Sequence, residues 1–96
     1  MNYELIMPPD VCMRFLVWSY YYHDVMPQPG VSYRACGKFS EADAVRLDQL
    51  KDALFRSFEE PSVVRACQQF QLAKARGEAC PFPQSELDSM FAAPVK

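Results

Sequence analysis

The stretch that decides the fold runs from Val11 to Met26 and reads VCMRFLVWSYYYHDVM. It contains the only tryptophan of the chain and three consecutive tyrosines, and just four of its sixteen residues are plainly polar. A segment this apolar in a chain of 96 residues either forms the centre of a small core or presents a surface that another molecule covers. Its length and the preceding Asp10, a good N-cap, predict a helix over residues 10–25, although its aromatic content would also suit a buried strand.

The segments on either side of this helix carry strand and loop signals. Residues 1–9 begin with a weak alternation of apolar and polar side chains, which is typical of a short strand or lead-in. Prolines and a glycine then predict a long loop over 26–39, within which 31–36 is a second candidate strand. The two candidate strands could pair as a small β ribbon. Loops of this length are uncommon in compact domains and are often functional.

Two clear helices follow the loop. Ser40 and Asp43 resemble a capping box and predict a helix over 40–58. Its apolar side chains recur at steps of three and four along one stripe: Leu47, Leu50, Leu54 and Phe58. Pro61 is tolerated in a first helical turn, so a third helix is predicted over 61–76. Its inner face contains Val63, Cys67 and Phe70.

A short final helix is predicted over 84–92, with Leu87, Met90 and Phe91 as its packing residues. We therefore expect a single, mainly α domain of three to four helices. A short N-terminal two-stranded β ribbon is the one addition that the pattern allows.

The composition narrows the function classes. Half of the residues are hydrophobic, the net charge is −2, and no block of like charges occurs, so the chain lacks the basic stripe typical of nucleic-acid binding. The apolar run after Asp10 is shorter than the ~20 residues of a membrane span and contains Arg14. No basic segment followed by an apolar one marks a signal peptide. We expect a cytoplasmic protein.

The sequence indicates neither a metal nor a cofactor. The four cysteines are far apart, at positions 12, 36, 67 and 80, and no Cys-x-x-Cys occurs. Zinc ligands usually come in close pairs, so we expect reduced, mostly buried thiols. His23 with Asp24 is the one place for a general base, but adjacent helical residues point about 100° apart. The three isolated glycines build no phosphate loop. We expect no catalytic residue and no enzymatic activity.

The aromatic cluster is the leading functional candidate. On a helix, Trp18 and Tyr22 share a face with Arg14, and three successive tyrosines cannot all face one small core. Tyr and Trp are the preferred anchors of protein interfaces. Arg14, Trp18, Tyr21 and Tyr22 are therefore predicted to bind another protein, with Arg14 included because it shares the face of Trp18 and Tyr22. The competing interpretation makes the cluster the core, and a homodimer buried at the tyrosines is a further alternative. The chain's small size, its lack of catalytic motifs and its aromatic helix are similar to those of small phage and plasmid regulators or inhibitors, including anti-CRISPR proteins. By this analogy we expect the same class of function.

A second hypothesis is DNA binding. The third helix displays Arg65, Gln68, Gln69 and Lys74, and Arg and Gln side chains read guanine and adenine edges. The turn before it also resembles a helix-turn-helix. The simpler interpretation is a solvated helix face.

A third hypothesis comes from a family resemblance. Tyr20-Tyr-Tyr-His23, the prolines after it and Asp48-Gln-Leu50-Lys-Asp-Ala-Leu54 resemble the small N-terminal helical domain of NAD-dependent DNA ligases. That resemblance covers about a third of the chain. It implies that Tyr20, Tyr22, His23 and Asp48 would contact the nicotinamide mononucleotide half of NAD. We expect no nucleotidyltransferase domain of that family in this chain, so the resemblance implies binding of NMN or NAD without ligation.

Overall fold

The computed structural model describes residues 7–80 and 82–91. This part of the chain contains four α-helices, a π-helix and a 3₁₀-helix, and it contains no strand. In chain order these elements are α1 (Pro9–Leu16), the π-helix (Val17–Tyr22), the 3₁₀-helix (Tyr33–Cys36), α2 (Glu41–Ser57), α3 (Glu60–Ala75) and α4 (Gln84–Met90). The predicted fold class, a small and mainly α domain, is confirmed.

Helix α1 begins one residue earlier than predicted. Its N-cap is Pro8, and Pro9 occupies the first helical turn, where a proline needs no N–H partner. Asp10 therefore lies inside the first turn and makes no cap hydrogen bond, so its prediction as N-cap is wrong. Its negative charge still favours the helix, because the N-terminal end of a helix carries a partial positive charge.

The second half of the predicted aromatic helix is a π-helix over Val17–Tyr22. It ends where Asp24 takes a left-handed conformation with φ of 56°. The buried hydroxyl of Ser19 donates to the carbonyl of Val25 at 2.5 Å and shares a hydrogen bond with the hydroxyl of Tyr33 at 2.7 Å. The Val25 N–H in turn donates to the Ser19 carbonyl at 2.9 Å. Ser19 thus holds the end of the helix to the chain that leaves it.

The strand predicted within the long loop is wrong. Tyr33–Cys36 is a 3₁₀-helix, and Ser32 caps it by accepting a hydrogen bond from the Arg34 N–H at 3.1 Å. It ends at Gly37, whose φ of 68° is a conformation that glycine adopts without strain. The partner strand was predicted at the start of residues 1–9, and residues 1–6 lie outside the described part of the chain.

Two side chains of α2 hold this loop in place. Asp48 accepts from the Ser32 hydroxyl at 2.6 Å and from the Tyr33 N–H at 2.8 Å. Lys51 is buried, and its ammonium group donates to the carbonyl of Val31. The loop is therefore ordered by side chains of a helix and not by pairing with a second strand.

The three later helices follow the sequence pattern closely. The predicted N-cap of α2 is confirmed, since the Ser40 hydroxyl accepts from the Asp43 N–H at 3.2 Å. Helices α2, α3 and α4 lie within a residue or two of their predicted bounds at 40–58, 61–76 and 84–92. Within the described part of the chain, no helix combines the length and the apolar character needed to cross a membrane.

Trp18 lies at the centre of the core and has no exposed surface. Aromatic rings from three other parts of the chain surround it, with Phe39 and Phe91 both at 5.4 Å between ring centroids and Phe15 at 6.1 Å. The buried apolar residues that complete the core come from every helix: Met7, Cys12, Phe15, Leu16, Val17, Tyr33, Ala44, Leu47, Ala53, Leu54, Val63, Cys67, Leu87 and Phe91.

Replacing Trp18 with Ala is expected to lower the free energy of unfolding by about 3–5 kcal/mol, because a large ring leaves a cavity that the core closes only in part. Urea denaturation measures the loss. Val45→Ala is the matched control, since Val45 is exposed on α2 and its loss should cost less than about 0.5 kcal/mol. Equal effects of the two substitutions would contradict the central position of Trp18.

Candidate functional site

The structure corrects the position of Trp18 within the predicted partner-binding set. Its ring is fully buried, and its Nε1 donates to Asp88 Oδ1 at 2.8 Å. A ring with no exposed surface does not contact a partner unless the domain opens. The competing interpretation, in which this ring belongs to the core, is the right one for Trp18.

Tyr21 and Tyr22 lie differently, at the border between core and solvent. Both rings are half-buried and meet edge to face, with 5.5 Å between their centroids. The hydroxyl of Tyr21 donates to the carbonyl of Glu78 at 2.9 Å, and that of Tyr22 donates to the carbonyl of Phe82 at 2.5 Å. The two tyrosines therefore attach the segment between α3 and α4 to the end of the π-helix.

Two cations extend this arrangement. The Arg14 guanidinium lies 4.6 Å from the centre of the Phe82 ring and 3.4 Å from a carboxylate oxygen of Glu86. At the other end, the Lys74 ammonium lies 5.7 Å from the centre of the Tyr21 ring. We call the surface formed by Arg14, Tyr21, Tyr22, Lys74 and Phe82 the tyrosine face. Its geometry, aromatic rings flanked by cations, is suited to non-covalent contact with another molecule.

Two members of the tyrosine face were not predicted as partner contacts. Phe82 lies between two prolines, and an aromatic residue in such a segment is a signal that sequence reasoning could have used. Lys74 was assigned to the DNA-binding hypothesis instead. Its ammonium pairs with the carboxylate of Asp24 at 3.0 Å and also donates to the carbonyl of Tyr21 at 3.2 Å. The hydrogen bond from Lys74 to the Asp24 carboxylate lowers the pKa of Asp24 below its ordinary value.

His23 lies in the core and is buried. Its ring packs against Trp18 at 4.8 Å and Phe39 at 5.8 Å between centroids, and its carbonyl accepts from Lys38. Its Nε2 lies 3.4 Å from Asp88 Oδ1. The carboxylate that orients the imidazole therefore comes from α4, not from the adjacent Asp24. Among the described residues, no group of three His, Cys, Asp or Glu side chains is placed to hold a metal ion.

The four residues implied by the ligase resemblance already have partners within the protein. Both carboxylate oxygens of Asp48 accept hydrogen bonds from the loop, His23 is buried against Trp18, and the Tyr22 hydroxyl is bound to a carbonyl. Tyr20 is half-buried against the core. Nicotinamide nucleotide binding stays a prediction, and it would require these internal contacts to be exchanged for ligand contacts.

The four residues of the DNA-binding hypothesis do not lie on one surface. Arg65, Gln68 and Gln69 are exposed and lie on one face of α3, as positions i, i+3 and i+4 must. Lys74 lies apart from them, in the tyrosine face. The structure thus brings three of these side chains together in solvent and separates the fourth.

The four cysteines are free thiols, two of them buried and two half-buried. Burial raises the pKa of Cys12, and it raises the pKa of Cys67 to about 11. A thiol that stays protonated is a poor nucleophile and a poor metal ligand. Cys12 and Cys67 therefore serve the core as small apolar side chains.

Comparison with family models, with curated proteins and with solved structures returned no match for this chain.

Replacing Asp88 with Ala is expected to lower the free energy of unfolding by about 1–3 kcal/mol, because the buried N–H of Trp18 would lose its acceptor. Tryptophan fluorescence during urea denaturation measures the effect. Asp52→Ala is the control, because Asp52 is exposed on α2. If Asp88→Ala were as stable as that control, the hydrogen bond to Trp18 would not support the fold.

Stability is expected to fall as the pH rises above about 9. Burial raises the pKa of the Cys67 thiol from 9.0 to about 11 and that of Tyr22 from 10.0 to about 12, so between these values the unfolded chain releases protons that the folded chain retains. The stability contributed by the neutral thiol is complete below pH 9 and is lost as the pH approaches 11. For Cys67 alone the loss is about 1 kcal/mol at pH 10.

Urea midpoints at pH 8, 9, 10 and 10.5 test this dependence. Cys67→Ala is the matched variant: it should be less stable at every pH, and its midpoint should depend less on pH between 9 and 10.5. A midpoint of the unchanged protein that stays constant from pH 8 to 10.5 would contradict the assignment.

Proposed function

We propose that this chain is a non-catalytic protein-binding module that acts through the tyrosine face. The observation that carries the proposal is that Tyr21, Tyr22 and Arg14 are held in place yet remain partly exposed, the Arg14 side chain at 29%. Tyr and Arg are enriched among the residues that dominate binding energy in protein interfaces.

The internal contacts of the tyrosine face support the same role. Both tyrosine hydroxyls donate to carbonyl groups of the segment after α3, and Arg14 lies over the ring of Phe82. These side chains are largely ordered before any partner arrives. Because ordering a rotamer-rich side chain costs about 0.5–1.5 kcal/mol on association, a surface that is ordered beforehand binds more tightly for the same area.

A catalytic role is less well supported by the geometry. The one histidine is buried behind Trp18, and its neighbouring carboxylate, Asp88, also accepts the indole N–H. The two most buried thiols have raised pKa values. The class of function we propose is therefore that of a small regulator or inhibitor of a protein target, of the type found on phages and plasmids, with anti-CRISPR proteins as the analogy.

The experiment compares three forms of the tagged protein in a pull-down from bacterial lysate: unchanged, Arg14→Ala/Tyr21→Ala, and the control Val45→Ala. We expect one stoichiometric protein partner with the unchanged form and the control, and its loss with the double variant. The melting temperature of the double variant should fall by less than about 8 °C, as expected for a loss near 1 kcal/mol. Retention by all three forms, or by none, would contradict the proposal.

DNA binding is the second candidate, favoured by the exposed row of Arg65, Gln68 and Gln69. Two features count against it. The exposed carboxylates of Glu59 and Glu60 lie at the start of the same helix, and the net charge of the chain is −2. A gel shift with mixed-sequence duplex that weakens with salt and with Arg65→Ala would place this candidate first. No shift at low salt would remove it.

A further inference from the structure

Asp24, just past the π-helix, has a costly backbone conformation. Within residues 7–80 and 82–91, positive φ angles occur at Gly30, Gly37, Gly77 and Asp24. Glycine adopts this left-handed region without strain, whereas a Cβ atom raises its free energy. Of these four residues, Asp24 with φ of 56° is therefore the one at which the side chain strains the backbone.

Glycine occupies the corresponding place at two other helix ends of this chain. Gly37 is the C-cap of the 3₁₀-helix and has φ of 68°, and Gly77 lies just past the C-cap of α3 and has φ of 73°. Glycine is the usual residue where the chain leaves a helix in the left-handed conformation. Asp24 departs from this rule.

The turn at Asp24 is closed by backbone groups. The Asp24 N–H donates to the Tyr20 carbonyl at 3.2 Å, and the Val25 N–H donates to the Ser19 carbonyl at 2.9 Å. This pair of hydrogen bonds is the one that commonly ends a helix at a left-handed glycine. A glycine at position 24 could make the same bonds, so the turn itself does not require an aspartate.

The side chain of Asp24 acts instead on Lys74. Its carboxylate is 73% exposed and lies 3.0 Å from the Lys74 ammonium. The same ammonium donates to the Tyr21 carbonyl at 3.2 Å and lies 5.7 Å from the centre of the Tyr21 ring. An exposed ion pair stabilises a fold little, because water and salt screen it. It does restrict where a long, flexible ammonium group lies.

From these observations we infer that Asp24 is a positioning residue of the tyrosine face, whose carboxylate holds the Lys74 ammonium beside the Tyr21 ring. Strained residues cluster at sites where geometry matters more than stability. For stability alone, glycine would be the better residue at this position. The inference rests on the function proposed above and adds to it the residue that orders one cation of the surface.

Thermal denaturation of Asp24→Gly gives the first readout, with Asp52→Gly as the matched control. Asp52 is exposed inside α2, where a glycine should lower the melting temperature by about 2–4 °C. At Asp24 the same change relieves the left-handed conformation, so the melting temperature should stay unchanged or rise. A fall as large as that of the control would show that Asp24 supports the fold, and would overturn the inference.

Nuclear magnetic resonance reads the position of Lys74. In the unchanged protein, the ε-methylene protons of Lys74 should show nuclear Overhauser contacts to the Tyr21 ring and an upfield shift caused by its ring current. Both signals should weaken at least twofold in Asp24→Gly and stay the same in Asp52→Gly. If they persist in Asp24→Gly, Lys74 holds its place without the carboxylate and the inference is wrong.

The binding probe is the protein that the unchanged form retains in the pull-down. Its affinity for Asp24→Gly should be about two- to fivefold lower, as expected for one exposed charge contact, and its affinity for Asp52→Gly should not change. Equal affinity for the two variants would overturn the inference and leave the proposed function intact. Retention of the partner by Arg14→Ala/Tyr21→Ala would instead contradict the proposed function, while the resonance signals would still decide whether Asp24 positions Lys74.

Discussion

The indole ring of Trp18 joins three separate parts of the chain. It packs against Phe15 beside it on α1, against Phe39 before α2 and against Phe91 at the end of α4. Its N–H needs an acceptor once it is buried, and Asp88 of α4 supplies one at 2.8 Å. The hydrogen bond and the burial of Leu87 and Phe91 together fix which face of α4 is turned inward. The arrangement of α4 against the rest of the domain therefore depends on Trp18.

The position of Trp18 also determines where the tyrosines lie. With Trp18 at the centre of the core, the rings that follow it in sequence must leave the core on other sides. The π-helix carries Tyr21 and Tyr22 to the border of the domain, where their hydroxyls bind carbonyl groups of the segment after α3. Core and candidate interface thus come from one continuous stretch of sequence.

Polar side chains inside the domain have a similar ordering role. Asp48 and Lys51 project from α2 and bind three groups of the preceding loop, at Val31, Ser32 and Tyr33. The Ser19 hydroxyl joins Val25 to Tyr33. Within the described residues, no buried side-chain nitrogen or oxygen lacks a hydrogen-bond partner. A buried polar group without a hydrogen-bond partner costs free energy. Each of these hydrogen bonds therefore disfavours conformations of the chain in which it is broken.

The sequence by itself determined the elements whose signals are local. Ser40 with Asp43 predicted the start of α2, and the spacing of apolar residues predicted α3 and α4, because capping and helical periodicity act within a few residues. The length of the apolar run placed the aromatic helix, although its N-cap is Pro8 and not Asp10 and its second half is a π-helix. Three successive tyrosines also required that at least one of them lie near the surface.

Tertiary structure decided everything that depends on residues far apart in sequence. The strand predicted at 31–36 became a 3₁₀-helix because Asp48, fifteen positions after Tyr33, supplies its hydrogen bond. Trp18 lies in the core because Phe39 and Phe91 pack against its ring and Asp88, seventy positions away, accepts its N–H. An apolar groove is likewise formed by residues of α1 and α3 together with Phe58, which are far apart in sequence. Hydrophobicity is a property of a residue, whereas burial is a property of its neighbours, and those neighbours come together only in the folded chain.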